Sequence, residues 1–179
     1  MNIVIVVAEI LVLVCVVLLI FILMYNNYQS YIIRINEVET NIDSVLRKRF
    51  DLVCKCIEII QNITKKEDFS EILELREQKT SNFDLDRKLT GAIIKFDTYK
   101  YNYDELEAND VFIKSCVALE ECAIELEAFK KYYNDIVTEY NKKVKQFPSD
   151  VVAKISHFKV KPYFDGKDMF DDVTDDFKL

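Results

Sequence analysis

The chain has 179 residues and a formal charge of −7, and removing the first 24 leaves 155, enough for one domain with a real core and too few for two. Only two glycines and two prolines are present. Turns and phosphate-cradling loops depend on those residues, so their scarcity predicts long helices with few loops and argues against a Rossmann or P-loop enzyme. An acidic chain repels polyphosphate, which argues against nucleic acid as a partner.

Ile3 to Met24 is an apolar run of 22 residues broken only by Glu9. As a helix it would reach about 33 Å, slightly more than the hydrocarbon core of a bilayer. Tyr25 and Tyr28 follow, where amphipathic rings suit the headgroup layer. A cleaved signal peptide would need a basic start and a small-residue cleavage site, yet only Met1 and Asn2 precede the run and no A-x-A follows it. A lipoprotein signal would need a small residue before Cys15, and Val14 stands there. The expectation is an uncleaved single-pass anchor in the cell membrane, with the lipid bilayer as first partner. Glu9 lies near one end of the run, close to an interface. The first basic residue is Arg34 on the C-terminal flank, and none precedes the run, so the positive-inside rule puts the N-terminus outside and the soluble part in the cytoplasm.

After Tyr25 the pattern becomes amphipathic without a breaker. Val38, Val45, Leu52 and Ile59 form one seven-residue row; Ile35, Ile42, Cys56 and Ile63 form a second, with Arg49 in one of its places. Anchor and first helix therefore read as one continuous rod, ended by a basic turn at Thr64-Lys65-Lys66. Asp68 and Glu71 resemble a capping box for a short second helix with Ile72, Leu73 and Leu75. Asp84 or Asp86 would cap a third, bearing Leu85, Leu89, Ile93 and Phe96. A corner at Asn102-Tyr103-Asp104 leads to a long fourth helix from about Leu106 to Gln146, with Phe112, Leu119, Leu126, Tyr133 and Tyr140 seven apart. Such a repeat favours near-parallel packing, and the two long helices are expected to pair antiparallel. Phe147-Pro148 stops the fourth helix, and Ser149 would cap a short amphipathic one bearing Val151, Val152, Ile155 and Phe158. The aspartate-rich end from Phe164 is expected to be a disordered tail. The predicted fold is all-α: a transmembrane helix (3–24) continuing into an antiparallel four-helix-type bundle (25–163) with two long helices, then an acidic tail (164–179).

Chemistry is sparse. Cys54, Cys56, Cys116 and Cys122 show no CxxC, and the lone His157 has no motif partner, so buried free thiols are expected and no metal or cofactor. No GxSxG, HExxH or glycine-rich loop occurs. The densest basic cluster is Arg47-Lys48-Arg49, followed by Asp51. Arg49 occupies a core row, so an internal salt bridge to Glu121 or Glu125 is expected, with an anionic-ligand or partner patch as the alternative.

Three motifs then carry a resemblance. Ile42-Asp43-x-x-Leu46-Arg47-Lys48-Arg49-Phe50-Asp51-Leu52 is the first, Tyr103-x-x-Leu106-Glu107-Ala108-Asn109-x-x-Phe112 the second, and Tyr132-Tyr133-Asn134-Asp135-x-Val137-x-x-Tyr140-Asn141 the third. With Phe147-Pro148-Ser149 and Phe158 to Tyr163-Phe164 after them, their order and spacing resemble the LemA family over about 28–164. The chain departs from that pattern in four ways: it lacks a proline within 53–57, it has no tryptophan, Asp104 replaces a proline, and Ala123 and Phe129 replace polar positions. The resemblance implies an anchored helical bundle with no established enzymatic activity. The expected function is a membrane-anchored scaffold or adaptor with unidentified protein partners and self-association as a further mode. The alternative is a sensor of a small anionic ligand or ion.

Overall fold

The computed structural model describes residues 3–64, 69–75 and 80–165, apart from the Glu71 side chain. Every regular element among them is helical: α1 (Ile3–Thr64), α2 (Ser70–Glu74), α3 (Asn82–Asn102), α4 (Asp104–Glu107), α5 (Asp110–Lys145) and α6 (Ser149–Ile155). The proposed capping box at Asp68, the basic turn at Lys65-Lys66 and the acidic tail beyond Asp165 lie outside the described residues.

α1 runs unbroken through 62 residues, so the apolar run and the amphipathic stripe do belong to one helix. The apolar run is a candidate membrane span, none of it buried within the protein. The chain divides into two compact units. Among the described residues one draws on 3–37 and 133–163, the other on 38–132 and 164–165.

In the second unit α1 presents Val38, Ile42, Val45, Leu46, Val53, Cys56, Ile57 and Ile60 to the core. The expected rows hold at the start and then slide: Leu52, Ile59 and Ile63 are only partly buried, while Val53, Ile57 and Ile60 are fully covered. A straight helix of 3.6 residues per turn drifts about 20° per heptad against a strict seven-residue repeat, and α1 follows the drift. Facing it are Phe112, Leu119, Cys122 and Leu126 of α5, with Leu89, Ala92 and Phe96 of α3 and Leu106 of α4 closing the cluster. Phe96 meets Phe112 and Phe69 edge-on at 6.3 and 6.4 Å between ring centroids.

Three boundaries differ from expectation. Ser149 is the first residue of α6 and not its cap, which is Pro148, and its hydroxyl bonds back to the Lys143 and Gln146 carbonyls. α3 is capped by Ser81, whose Oγ accepts from the Asp84 N–H at 3.1 Å, which leaves Asp86 for another role. The long fourth helix is divided at Ala108-Asn109, because the Asn109 Oδ1 accepts from the N–H groups of Val111 and Phe112 at 3.0 Å each and starts α5 afresh. A single asparagine thus breaks a run that its apolar spacing would have continued.

In the first unit α1 and α5 run antiparallel, since Tyr28 meets Lys143 and Tyr31 meets Glu139. The Phe147–Pro148 peptide bond is cis. α6 then ends in a Schellman arrangement: Phe158 N–H donates to Ala153 C=O at 2.9 Å and His157 N–H to Lys154 C=O. His157 takes the left-handed conformation this needs (φ 58°), which explains the lone histidine without any chemistry.

Candidate functional site

The basic triplet does not act as one patch. Arg47 is exposed and pairs with Asp43 one turn earlier at 2.9 Å. Lys48 is exposed. Arg49 is buried, and its Nη1 donates to Asp86 while its Nη2 donates to Thr90 Oγ1 at 3.1 Å, both on α3. The partner expected on α5 is therefore found on α3. Glu121 and Glu125 are exposed, flanking the buried Cys122 and Leu126.

Asp86 also receives Lys130 Nζ at 2.6 Å, and Lys130 reaches Glu127 at 2.7 Å. Lys130 lies 5.3 Å from the centre of the Phe164 ring, which packs edge-on against Phe83. One half-covered carboxylate thus joins two cations from two helices. Burial pulls the Lys130 ammonium down, but the Asp86 and Glu127 carboxylates outweigh it and hold it above its ordinary 10.5. Among the described residues the Arg49 Nε is buried without a partner.

Asp51 is exposed and, with Arg47, Phe50, Leu75 and Leu85, lines an open cleft of about 450 Å³. Cys56 and Cys116 share a hydrogen bond, which with burial pushes the Cys56 thiol far above its ordinary value, while the same bond lowers Cys116. All five cysteines are free.

The third motif works in the first unit. Tyr133, Tyr140 and Asn141 all face the chain that returns after α6. The Tyr140 hydroxyl donates to Lys159 C=O at 2.9 Å, and the Tyr133 hydroxyl to Pro162 C=O at 3.3 Å. Asn141 is fully buried and makes two bonds with Lys161: its Nδ2 donates to the carbonyl and its Oδ1 accepts from the N–H, each at 2.8 Å. Asn134 is half-buried, and its carbonyl accepts from the Thr138 hydroxyl at 2.8 Å. Conspicuous polar residues of the motif hence satisfy the backbone of an irregular segment that has no ladder of its own.

Tyr28 joins this lock. Its hydroxyl donates to Lys143 C=O at 2.6 Å and Ser149 C=O at 3.2 Å, and its ring stacks on Phe158 at 4.8 Å and meets Tyr140 edge-on at 6.0 Å. It is therefore a core residue and not part of an aromatic belt; of the two tyrosines Tyr25, partly exposed and 5.6 Å from Phe158, is the one that can offer a ring to headgroups. Along the apolar run Ile3 and Glu9 are exposed and Met24 is half-covered.

Residues 38–175 match the model of the LemA family. The chain belongs to the LemA family. The matched stretch includes all three motifs and begins ten residues after Tyr28, so the span lies outside it. No curated protein and no solved structure matches the chain. In this LemA protein, then, Ile42 and Leu46 of the first motif are core, Arg49 is the buried ion-pair partner, Asn109 of the second is a helix cap, and the third holds the return segment.

These contacts set a response to alkali. Burial, first of all, raises Tyr28, Tyr31 and Tyr140 above the ordinary 10.0. Each favours its protonated form in the fold, so the stability it lends is complete below pH 10 and is lost as pH rises through the folded values. Lys130, also raised, has the same sign above 10.5. Tyrosinate absorbance and circular dichroism of the full-length protein are expected to change together above pH 10, with the tyrosinate signal lagging that of the unfolded chain. Tyrosines that titrate freely with helicity unchanged would show these bonds to be dispensable.

Proposed function

We propose that this LemA protein is a single-pass membrane-anchored scaffold or adaptor that catalyses no reaction. The observation that supports it is the continuity of α1: the same helix supplies the uncovered apolar span and one wall of the bundle core, with no linker between them. Its mechanism would be presentation, in which the anchor holds a rigid surface at one leaflet and that surface recruits other proteins or a second copy of the chain. Exposed apolar side chains suited to such contacts include Ile94, Tyr101, Val117 and Ile124. The bundle is read as cytoplasmic, with the N-terminus outside, on the strength of Arg34 against an uncharged N-terminal flank.

Binding of a small anionic ligand or ion is the second reading, and the cleft at Arg47 and Asp51 is its one support. Among the described residues that cleft offers one cation beside one carboxylate, while Arg49 is already engaged by Asp86, so these groups favour an anion little. Photo-crosslinkers placed at Tyr101 and Ile124 of the full-length protein in its native membrane test the adaptor reading. Discrete protein adducts, identical in repeated preparations, are expected. Adducts to lipid alone, or none, would remove it.

A further inference from the structure

Between Lys142 and Lys161 the chain carries six lysines and one acid, Asp150, although the whole molecule is at −7. The lysines are spread over twenty residues, so they form no run in the sequence. α5, the corner at Phe147-Pro148 and α6 bring them to one end of the first unit. That end adjoins the last turn of the apolar run: a cleft of about 340 Å³ is lined by Leu23 and Met24 on one side and by Gln146, Phe147 and Pro148 on the other. The register is held by Tyr28, bonded to Lys143 and Ser149, and by Phe158 against Tyr25.

Among the described residues this end also exposes apolar side chains. Phe147 is 78% exposed and Ile155 62%, and Val151, one turn before Ile155 on α6, is exposed too. Lys142, Lys145 and Lys159 are exposed on the same stretch of chain, and Lys154 meets Asp150 at 2.8 Å. A partly uncovered aromatic and two aliphatics on a stretch that carries these ammonium groups, next to the point where a hydrophobic helix leaves the hydrocarbon, match the chemistry of the headgroup layer.

We infer that the corner from Phe147 to Ile155 is a second, monotopic contact with the same bilayer: Phe147, Val151 and Ile155 enter the interface and Lys142, Lys145 and Lys159 bind anionic phospholipid headgroups. The inference rests on the membrane-anchor reading. Continuity with the span selects the occupant, because a surface fixed within a turn of Met24 meets lipid before it meets anything else. The charge selects the lipid, since each lysine near an anionic surface contributes about 1 kcal/mol. It also gives the bundle a preferred leaflet, the anionic cytoplasmic one.

The chain contains no tryptophan, so a single indole reports cleanly. The full-length protein carrying Phe147→Trp, Ile155→Trp or, as a reference inside the span, Leu11→Trp would be placed in nanodiscs of phosphatidylcholine with or without phosphatidylglycerol. Bromination of the acyl chains then reads contact with lipid. Quenching at positions 147 and 155 is expected, at least twofold stronger with phosphatidylglycerol and weakened by salt. Adding Lys142→Gln, Lys145→Gln and Lys159→Gln should lower the docked-to-undocked ratio roughly fivefold per lysine. Quenching at position 11 with none at 147 or 155 in either lipid would overturn the inference and leave the anchor standing. A blue shift at 147 that is unquenched and grows with protein density would assign the surface to a second copy instead, which also overturns it. No quenching at position 11 would remove the anchor reading itself, and the inference with it.

Discussion

Asp86→Asn is expected to destabilise the protein by about 3–5 kcal/mol, the cost of leaving a buried cation without its counter-charge. Asp86 is the shared acceptor of Arg49 and Lys130, and the Arg49 side chain is only 6% exposed, with its Nε already unpaired. An amide can accept from one cation but balances neither. The reverse change, Arg49→Met, should cost less: the thioether fills much of the same volume, and Asp86 keeps Lys130. The double replacement should recover part of the loss, giving a coupling of about 1–3 kcal/mol in a mutant cycle. Thermal unfolding of the full-length protein in one detergent measures all four corners. Equal losses for the two single variants, or simple additivity, would mean that the pair is exposed enough for water to replace either partner.

Deleting residues 3–24 is expected to move the protein from a carbonate-resistant membrane fraction to the supernatant. Eighteen of these 22 residues are Leu, Ile, Val or Phe, which at the helix centre favour insertion by about 0.3–0.6 kcal/mol each, or roughly 5–11 kcal/mol together before the cost of Glu9. No contact of comparable size holds the run to the rest of the protein, since none of it is buried there. Residual binding to anionic vesicles that salt abolishes is compatible with the lysine-bearing corner. A truncated chain that still resists carbonate would show that the run is not the anchor.

Much of the fold can be read from the residues alone, for a physical reason. Phe112, Leu119, Leu126, Tyr133 and Tyr140 lie on one face of α5 and are all buried, because a helix has only one way to hide such a row. The span is equally legible, since uniform apolarity needs no knowledge of partners. Four features were hidden. The slide of the α1 stripe from Leu52 to Val53 follows from the mismatch between 3.6 and 3.5, which a seven-residue reading suppresses. The break at Asn109 carries neither proline nor glycine, and only its side-chain bonds to Val111 and Phe112 reveal it. The partner of Arg49 depended on which helix lies across from it, and periodicity does not choose between α3 and α5. The six lysines of 142–161 form no run along the chain, where Arg47-Lys48-Arg49 is denser. In space that triplet separates into an ion-paired, an open and a buried side chain, while Lys159 and Lys161 return beside Tyr140 and Asn141, next to Lys142 and Lys143.

The unbroken passage of α1 from Met24 to Tyr28 has one more consequence. A domain on a floppy leash can drift tens of ångströms from the lipid and meet partners at any altitude. Here the aromatic lock around Tyr28 begins one helical turn above the oily stretch, with no joint at which to swing. Turning or sinking the buried stem by even a fraction of a turn must carry that lock, and the lysines fastened to it, along with it. On the anchored reading proposed above, a change in bilayer thickness would therefore move this end of the protein together with the stem.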